Sequence, residues 1–87
     1  MALLDDFNTA VAGSKNLTKR PSNEELLDAY ALFKQATDGD VSDERPGGFD
    51  FKAIAKFDSW SGKKGISKEQ AMTDYVALMK KLQESYA

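Results

Sequence analysis

The chain contains no cysteine and no histidine. Without cysteine there are no disulfides, no thiolate nucleophile and no Cys-ligated metal. Without histidine, Ser-His-Asp and Cys-His catalysis and imidazole metal sites are excluded as well. Positive charge is not in excess: 12 basic residues stand against 14 acidic ones, for a net charge of −2. General nucleic-acid binding needs a broad positive surface, so any anion site here has to be a local cluster of Lys and Arg. No apolar run approaches the roughly 20 residues that span a bilayer. The start, MALLDDF, is acidic where a secretory signal has a basic region and a longer apolar stretch. Absent cysteine fits a reducing compartment. These readings together predict a soluble, cytoplasmic protein with no metal and no cofactor.

What is present is ordinary in amount, with 30% charged and 41% hydrophobic residues, a balance that suits a globular domain. At 87 residues the chain makes one domain, residues 1–87, with one core and little to spare.

Helical spacing recurs four times, and no stretch alternates apolar and polar for long. A first helix is predicted from Leu3 to Ala12, with Leu4, Phe7 and Val11 on one face. GSKNLTKRP ends it in a basic loop. The second helix opens with Ser22 and Glu25 at capping-box spacing, carries Leu26, Leu27, Tyr30 and Phe33 as its buried stripe, and stops near Thr37. The third runs from Asp50 to Trp60, with Phe51, Ile54 and Phe57 inward and Lys52 and Lys56 one turn apart. SGKKG breaks the chain. The fourth, Ser67 to Tyr86, has a second capping-box pattern in Ser67 and Gln70. Its stripe is Met72, Tyr75, Val76, Met79 and Leu82. The loop from Asp38 to Phe49 is long and acidic. Short loops join antiparallel neighbours, whereas a long one permits a crossover between helices running the same way. The predicted fold is all-α, a four-helix bundle with a crossover between helices two and three.

Several motifs have plainer readings. DGDVSDE places Asp38, Asp40 and Ser42 at the first, third and fifth positions of a calcium loop. The glycine such a loop needs is Asp43, and its bidentate glutamate is Phe49, so it reads as an acidic solvated loop. SGKKG lacks phosphate-loop spacing and follows no strand; it reads as an interhelical turn. The carboxylate pairs Asp5-Asp6, Glu24-Glu25 and Asp43-Glu44 are sequence neighbours that point apart on a helix. None suggests acid–base catalysis, and the chain is read as a non-enzyme.

YALFKQATDGD raises a different question. Tyr30, Phe33 and Lys34 lie three and four residues apart, on one helical face. The aromatics of the chain are first of all core candidates. Yet Lys34 sits one turn from Tyr30, and Lys56 is flanked by Ala55 and Phe57 on the inward side of helix three. Burying an unpaired ammonium is costly. Both lysines therefore either reach water along an edge or face an anion that the free protein lacks. Tyr30, Lys34 and Lys56 read as an anion site in a semi-open groove. A phosphate joined to an aromatic base fits it, and so does a phosphorylated lipid head.

KRPSNEELLDAYALFKQATDGDVSDERPG strongly resembles the acyl-CoA-binding protein family, whose hallmark is Tyr-x-x-Tyr/Phe-Lys-Gln-Ala-Thr-x-Gly-Asp. AKFDSW, KGISKEQAM and DYVALM look like the rest of its pattern, so the resemblance covers almost the whole chain. It implies a skewed four-helix bundle of up-down-down-up topology. It also implies non-covalent binding of medium- to long-chain fatty acyl-CoA. By position, Tyr30, Lys34 and Lys56 would hold the ribose 3′-phosphate, and Phe33 would lie against the adenine. Lys15 and Arg20 would face other phosphates or the acyl side. Tyr75 would close over the ligand, and Leu27 would line the groove. The implied role is a monomeric intracellular carrier that buffers acyl-CoA and makes transient contact with membranes or acyl-CoA-using enzymes.

Departures bear on affinity rather than ligand class. Phe33 stands where the family often has tyrosine, Phe57 where tryptophan is common, and Arg20 where lysine is frequent. Gly47 to Phe49 loosens the crossover. Two competing readings are a helical interaction module that takes an amphipathic helix and a lipid-transfer protein without CoA specificity. The inward cations speak against the first.

Overall fold

The starts of three helices in this chain are set by short polar side chains, and the computed structural model, which describes residues 2–42 and 44–86, places them close to where the sequence does. Four α-helices form among these residues: α1 (Leu3–Gly13), α2 (Asn23–Thr37), α3 (Phe51–Ser61) and α4 (Lys68–Tyr86). A 3-10 turn, Ser14–Asn16, extends α1 into what the sequence reads as plain loop. At α2, Ser22 Oγ accepts from the Glu25 N–H at 3.2 Å, and Glu25 Oε1 accepts from the Ser22 N–H at 3.0 Å. This reciprocal box satisfies two donors that a helix start otherwise leaves unpaired. At α4 the box is only half made: Ser67 Oγ accepts from the Gln70 N–H, while the Gln70 amide turns to Asp74. Asp50 caps α3 through the Ala53 N–H.

The helices pack in three pairs, α1 on α4, α2 on α4 and α2 on α3. The result is the all-α four-helix bundle. Its core is Phe7, Leu32, Tyr75, Met79 and Leu82 with the small residues Ala29, Ala36 and Ala71 between them. Full burial of each large apolar side chain contributes about 1.5–3 kcal/mol. Alanines at helix contacts let the backbones approach, which leaves the large side chains of α1 and α4 to fill the remaining space.

Two apolar residues depart from their predicted faces. Leu4 is 53% exposed and Phe51 is 72% exposed. Both lie in the first turn of their helices; in α1 the partly buried residue of that turn is Leu3, one turn before Phe7, so periodicity alone misassigns the face.

The crossover between α2 and α3 is held at its start and near its middle. Gly39, at φ 84°, leaves α2 in the left-handed region that only glycine enters readily. Its carbonyl accepts the Trp60 indole N–H at 2.9 Å. Gln35, fully buried in α2, donates from Nε2 to Asp40 Oδ1 at 2.8 Å and to the Ile66 carbonyl at 2.7 Å. Asp40 Oδ1 also accepts the Gly65 N–H at 2.9 Å. These bonds tie the end of α2 to the turn between α3 and α4. Further along the crossover, Arg45 grips Asp58 of α3 with two parallel bonds of 2.9 and 3.0 Å. The segment read as a solvated acidic loop is therefore a strap. Asp43, at the glycine position of the rejected calcium loop, lies outside the described residues. Among the described residues no group of acidic side chains is arranged to hold a metal, and no helix is long and apolar enough to cross a membrane.

Candidate functional site

The floor of the site comes from α2 and its wall from α3. Leu26, Leu27 and Tyr30 lie on one stripe of α2, and Lys52, Ala55 and Lys56 on the facing stripe of α3. Between them is a hollow of about 620 Å³, closed at one end by Arg20 and Asn23. Its floor is aliphatic and its rim carries three cations, Arg20, Lys52 and Lys56. A smaller hollow of about 330 Å³, which shares Leu27 with the first, is lined by Glu24, Asp28 and Asp58, with Lys63 already paired to Asp28 at 2.8 Å. Like charge there repels an anion, so of the two only the larger hollow suits a ligand with an anionic head and an apolar tail.

Tyr30 is the hinge of the site. It walls the larger hollow and two neighbouring ones of about 280 Å³ each. The first neighbour lies towards α4 and includes Phe33 and Tyr75; the second lies under the crossover and includes Phe57 and Trp60. The Lys56 ammonium stands 5.2 Å from the Tyr30 ring centroid, a cation–π distance. The Lys34 ammonium stands 5.0 Å from the Trp60 ring and forms an ion pair with Asp38, one turn further along. A hydrogen bond from Lys34 holds the Asp38 carboxyl below its ordinary range.

Phe33 and Tyr75 belong to an aromatic group with Phe7. Tyr75 meets Phe7 edge-on at 5.1 Å, and Phe33 stacks on Phe7 at 5.9 Å. Tyr75 is only 4% exposed, and burial pushes its hydroxyl above the usual phenol range. Here it is a core residue whose edge reaches a hollow shared with Tyr30. Arg20 is fixed by a bond from its guanidinium to Asn23 Oδ1 at 2.9 Å.

The basic segment before α2 is held by the end of α4. The Tyr86 carbonyl accepts the N–H groups of Thr18 and Lys19 at 3.0 Å each. The Tyr86 hydroxyl donates to Glu25 Oε1 at 2.6 Å, which holds the Glu25 carboxyl below its ordinary range. The last helix thereby positions the loop that carries Arg20.

Of the residues singled out in the sequence, the structure brings Arg20, Leu27, Tyr30 and Lys56 around one hollow. Phe33 and Tyr75 adjoin it through Tyr30. Lys34 lies beyond Tyr30, beside Trp60. Lys15 is exposed on the 3-10 turn and lines none of these hollows. Lys52 and Trp60 join the site although the sequence does not assign them to it. Lys52 is four residues before Lys56, so its spacing alone places it on the same face. Trp60 gives no such signal, because its role depends on contacts with the end of α2.

Residues 4–79 match the model of the acyl-CoA-binding protein family. The chain belongs to that family. It is 49% identical over 80 residues to acyl-CoA-binding protein homolog 1 of Caenorhabditis elegans, a match that covers 92% of this chain and 93% of that one. The acyl-CoA-binding protein of Brassica napus is 46% identical over 87 residues, covering 100% of this chain and 95% of that one. The crystal structure of Oryza sativa acyl-CoA-binding protein 2 superposes with a TM-score of 0.92 at 42% identity, covering 97% of this chain and 93% of that one. The family assignment therefore rests on sequence and on backbone shape together.

Proposed function

We propose that the protein binds medium- to long-chain fatty acyl-CoA thioesters non-covalently and serves as their intracellular carrier and buffer. The observation that carries this reading is the hollow between α2 and α3, with an aliphatic floor and the cations Arg20, Lys52 and Lys56 on its rim. Its two chemistries match the two halves of the ligand. Phosphates of the CoA head meet the cations. The ribose 3′-phosphate is assigned to Lys56, Tyr30 and Lys34 and the adenine to Phe33, while Arg20 and Lys15 face the other phosphates or the acyl side. The acyl tail lies on Leu27 and its aliphatic neighbours, with Tyr75 behind. A chain of this size cannot enclose a long tail without losing its own core, so the tail stays in an open groove partly covered by the CoA head.

No covalent step is required. Binding holds a detergent-like thioester away from membranes and releases it unchanged, which makes the protein a non-enzymatic carrier that works as a monomer. Its partners are the ligand itself and, in passing, the membranes and enzymes that supply or consume it.

The test is calorimetric titration of palmitoyl-CoA and its dephospho analogue, which lacks the 3′-phosphate, into the wild type and Lys56→Ala. Loss of a charge-assisted contact weakens binding by about 1.5–3 kcal/mol. The wild type should therefore bind the dephospho ligand roughly 10- to 150-fold more weakly, and Lys56→Ala, which keeps Tyr30 and Lys34, should discriminate less between the two. Equal affinity of the wild type for both ligands would remove the 3′-phosphate from this cluster.

A further inference from the structure

Tyr30, Lys34 and Asp38 follow one another at four-residue intervals on α2, so Lys34 has an aromatic hydroxyl one turn before it and a carboxylate one turn after it. In this structure the ammonium is turned towards the carboxylate. Helical side chains lean by default towards the N-terminus, which for Lys34 is the direction of Tyr30 and the rim of the hollow. Asp38 draws it the other way, and the Trp60 ring 5.0 Å from the ammonium lies on that side as well.

The pair is weak by construction. Lysine four residues before an acid is the less favourable order on a helix. Asp38 is also the C-cap of α2, where a negative charge opposes the helix dipole. Both side chains are part-exposed, 27% for Lys34 and 49% for Asp38, so solvent screens them. Such a pair can direct the ammonium without locking it. The charged neighbour of Asp38 from another element is Lys68 at the start of α4.

We propose that the Asp38 carboxylate is a built-in competitor for the ligand's phosphate: it holds Lys34 away from Tyr30 in the free protein and has to be displaced for Lys34 to enter the site. This inference rests on the acyl-CoA reading above. It makes Asp38 an affinity-setting residue that never touches the ligand. On binding, the ammonium swings about one turn towards Tyr30 and exchanges a carboxylate for a phosphate. Asp38 keeps Lys68 as a neighbour, so its charge is not left isolated.

The experiment is titration of palmitoyl-CoA into wild type, Asp38→Asn, Asp38→Glu, Lys34→Ala and Lys34→Ala/Asp38→Asn at low and at high salt. Exposed pairs on a helix are weak, so Asp38→Asn is expected to bind about two- to fivefold more tightly at low salt, with the gain shrinking at high salt. Asp38→Glu keeps the charge and should stay near wild type. In the Lys34→Ala background the asparagine should lose most of its effect, which a change in helix stability alone would not do. Wild-type binding with unchanged or weaker binding by Asp38→Asn would overturn the inference while leaving the acyl-CoA reading intact. Failure of the wild type to bind palmitoyl-CoA would overturn both.

Discussion

Replacing Gln35 tests the strap that holds the site together. Its amide is fully buried, and its Nε2 bonds both Asp40 and the Ile66 carbonyl. Among the described residues its Oε1 has no partner. Gln35→Leu keeps most of the volume and removes two hydrogen bonds, each contributing about 0.5–1.5 kcal/mol, with more for the one to a carboxylate. It also strips the Ile66 carbonyl of its donor. Against these losses, it removes the unsatisfied oxygen, whose burial costs about 1–3 kcal/mol. The expected net effect is a destabilisation of about 1–2 kcal/mol. Gln35→Ala adds a cavity and should destabilise by about 3–4 kcal/mol. For a domain of this size each 1 kcal/mol lowers the melting temperature by about 4–8 °C. Thermal and urea unfolding of both variants, followed by helical circular dichroism, reads these differences. The leucine variant should also bind acyl-CoA more weakly, because the strap fixes the end of α2 that carries Lys34. A leucine variant that melts at or above wild type would refute the reasoning, since the two bonds would then contribute less than the orphaned oxygen costs.

The Glu25–Tyr86 bond has a defined pH window. Its carboxyl is held below the ordinary value of 4.5 and its phenol above 10.0. The carboxylate's contribution is thus present above the unfolded carboxyl pKa and lost as pH falls through the lower folded one. The phenol's is present below its unfolded pKa and lost as pH rises through the higher folded one. Tyr86→Phe should therefore be less stable than wild type at neutral pH and converge with it in acid; a gap that persists in acid would point to packing instead. In a series of acyl-CoA esters, affinity should rise by up to about 0.8 kcal/mol per methylene until the groove runs out; affinity independent of tail length would take the tail out of the groove.

The helices were legible because their periods and caps are local. Ser22 and Glu25 announce α2, and the heptad-like run from Met72 to Leu82 announces α4. End turns were less legible, as Leu4 and Phe51 show, because a single apolar residue at a helix end fits a period on either side of the stripe, and in α1 it is Leu3 that turns inward. The strap was invisible for a different reason. Gln35 with Ile66, Asp40 with Gly65 and Gly39 with Trp60 pair residues 21 to 31 positions apart, and no local pattern signals such pairs. In the site, the cation–aromatic theme was readable from the spacing of Tyr30 and Lys34, but the meeting of Lys56 with Tyr30 needed the packing of α3 on α2. Asp38 was visible at one turn from Lys34, yet it read as part of an acidic solvated loop until the ion pair appeared.

The central claim is that one groove requires both an anionic CoA head and an acyl tail. Its most direct test is calorimetric titration of palmitoyl-CoA, free CoA and palmitate side by side into the wild-type protein. The account predicts tight binding of palmitoyl-CoA, weak binding of CoA and little binding of palmitate, because nothing besides the head's phosphates anchors the ligand to the cations. Equal binding of palmitoyl-CoA and palmitate would contradict it, and the roles given to Tyr30, Lys34 and Lys56 would fall.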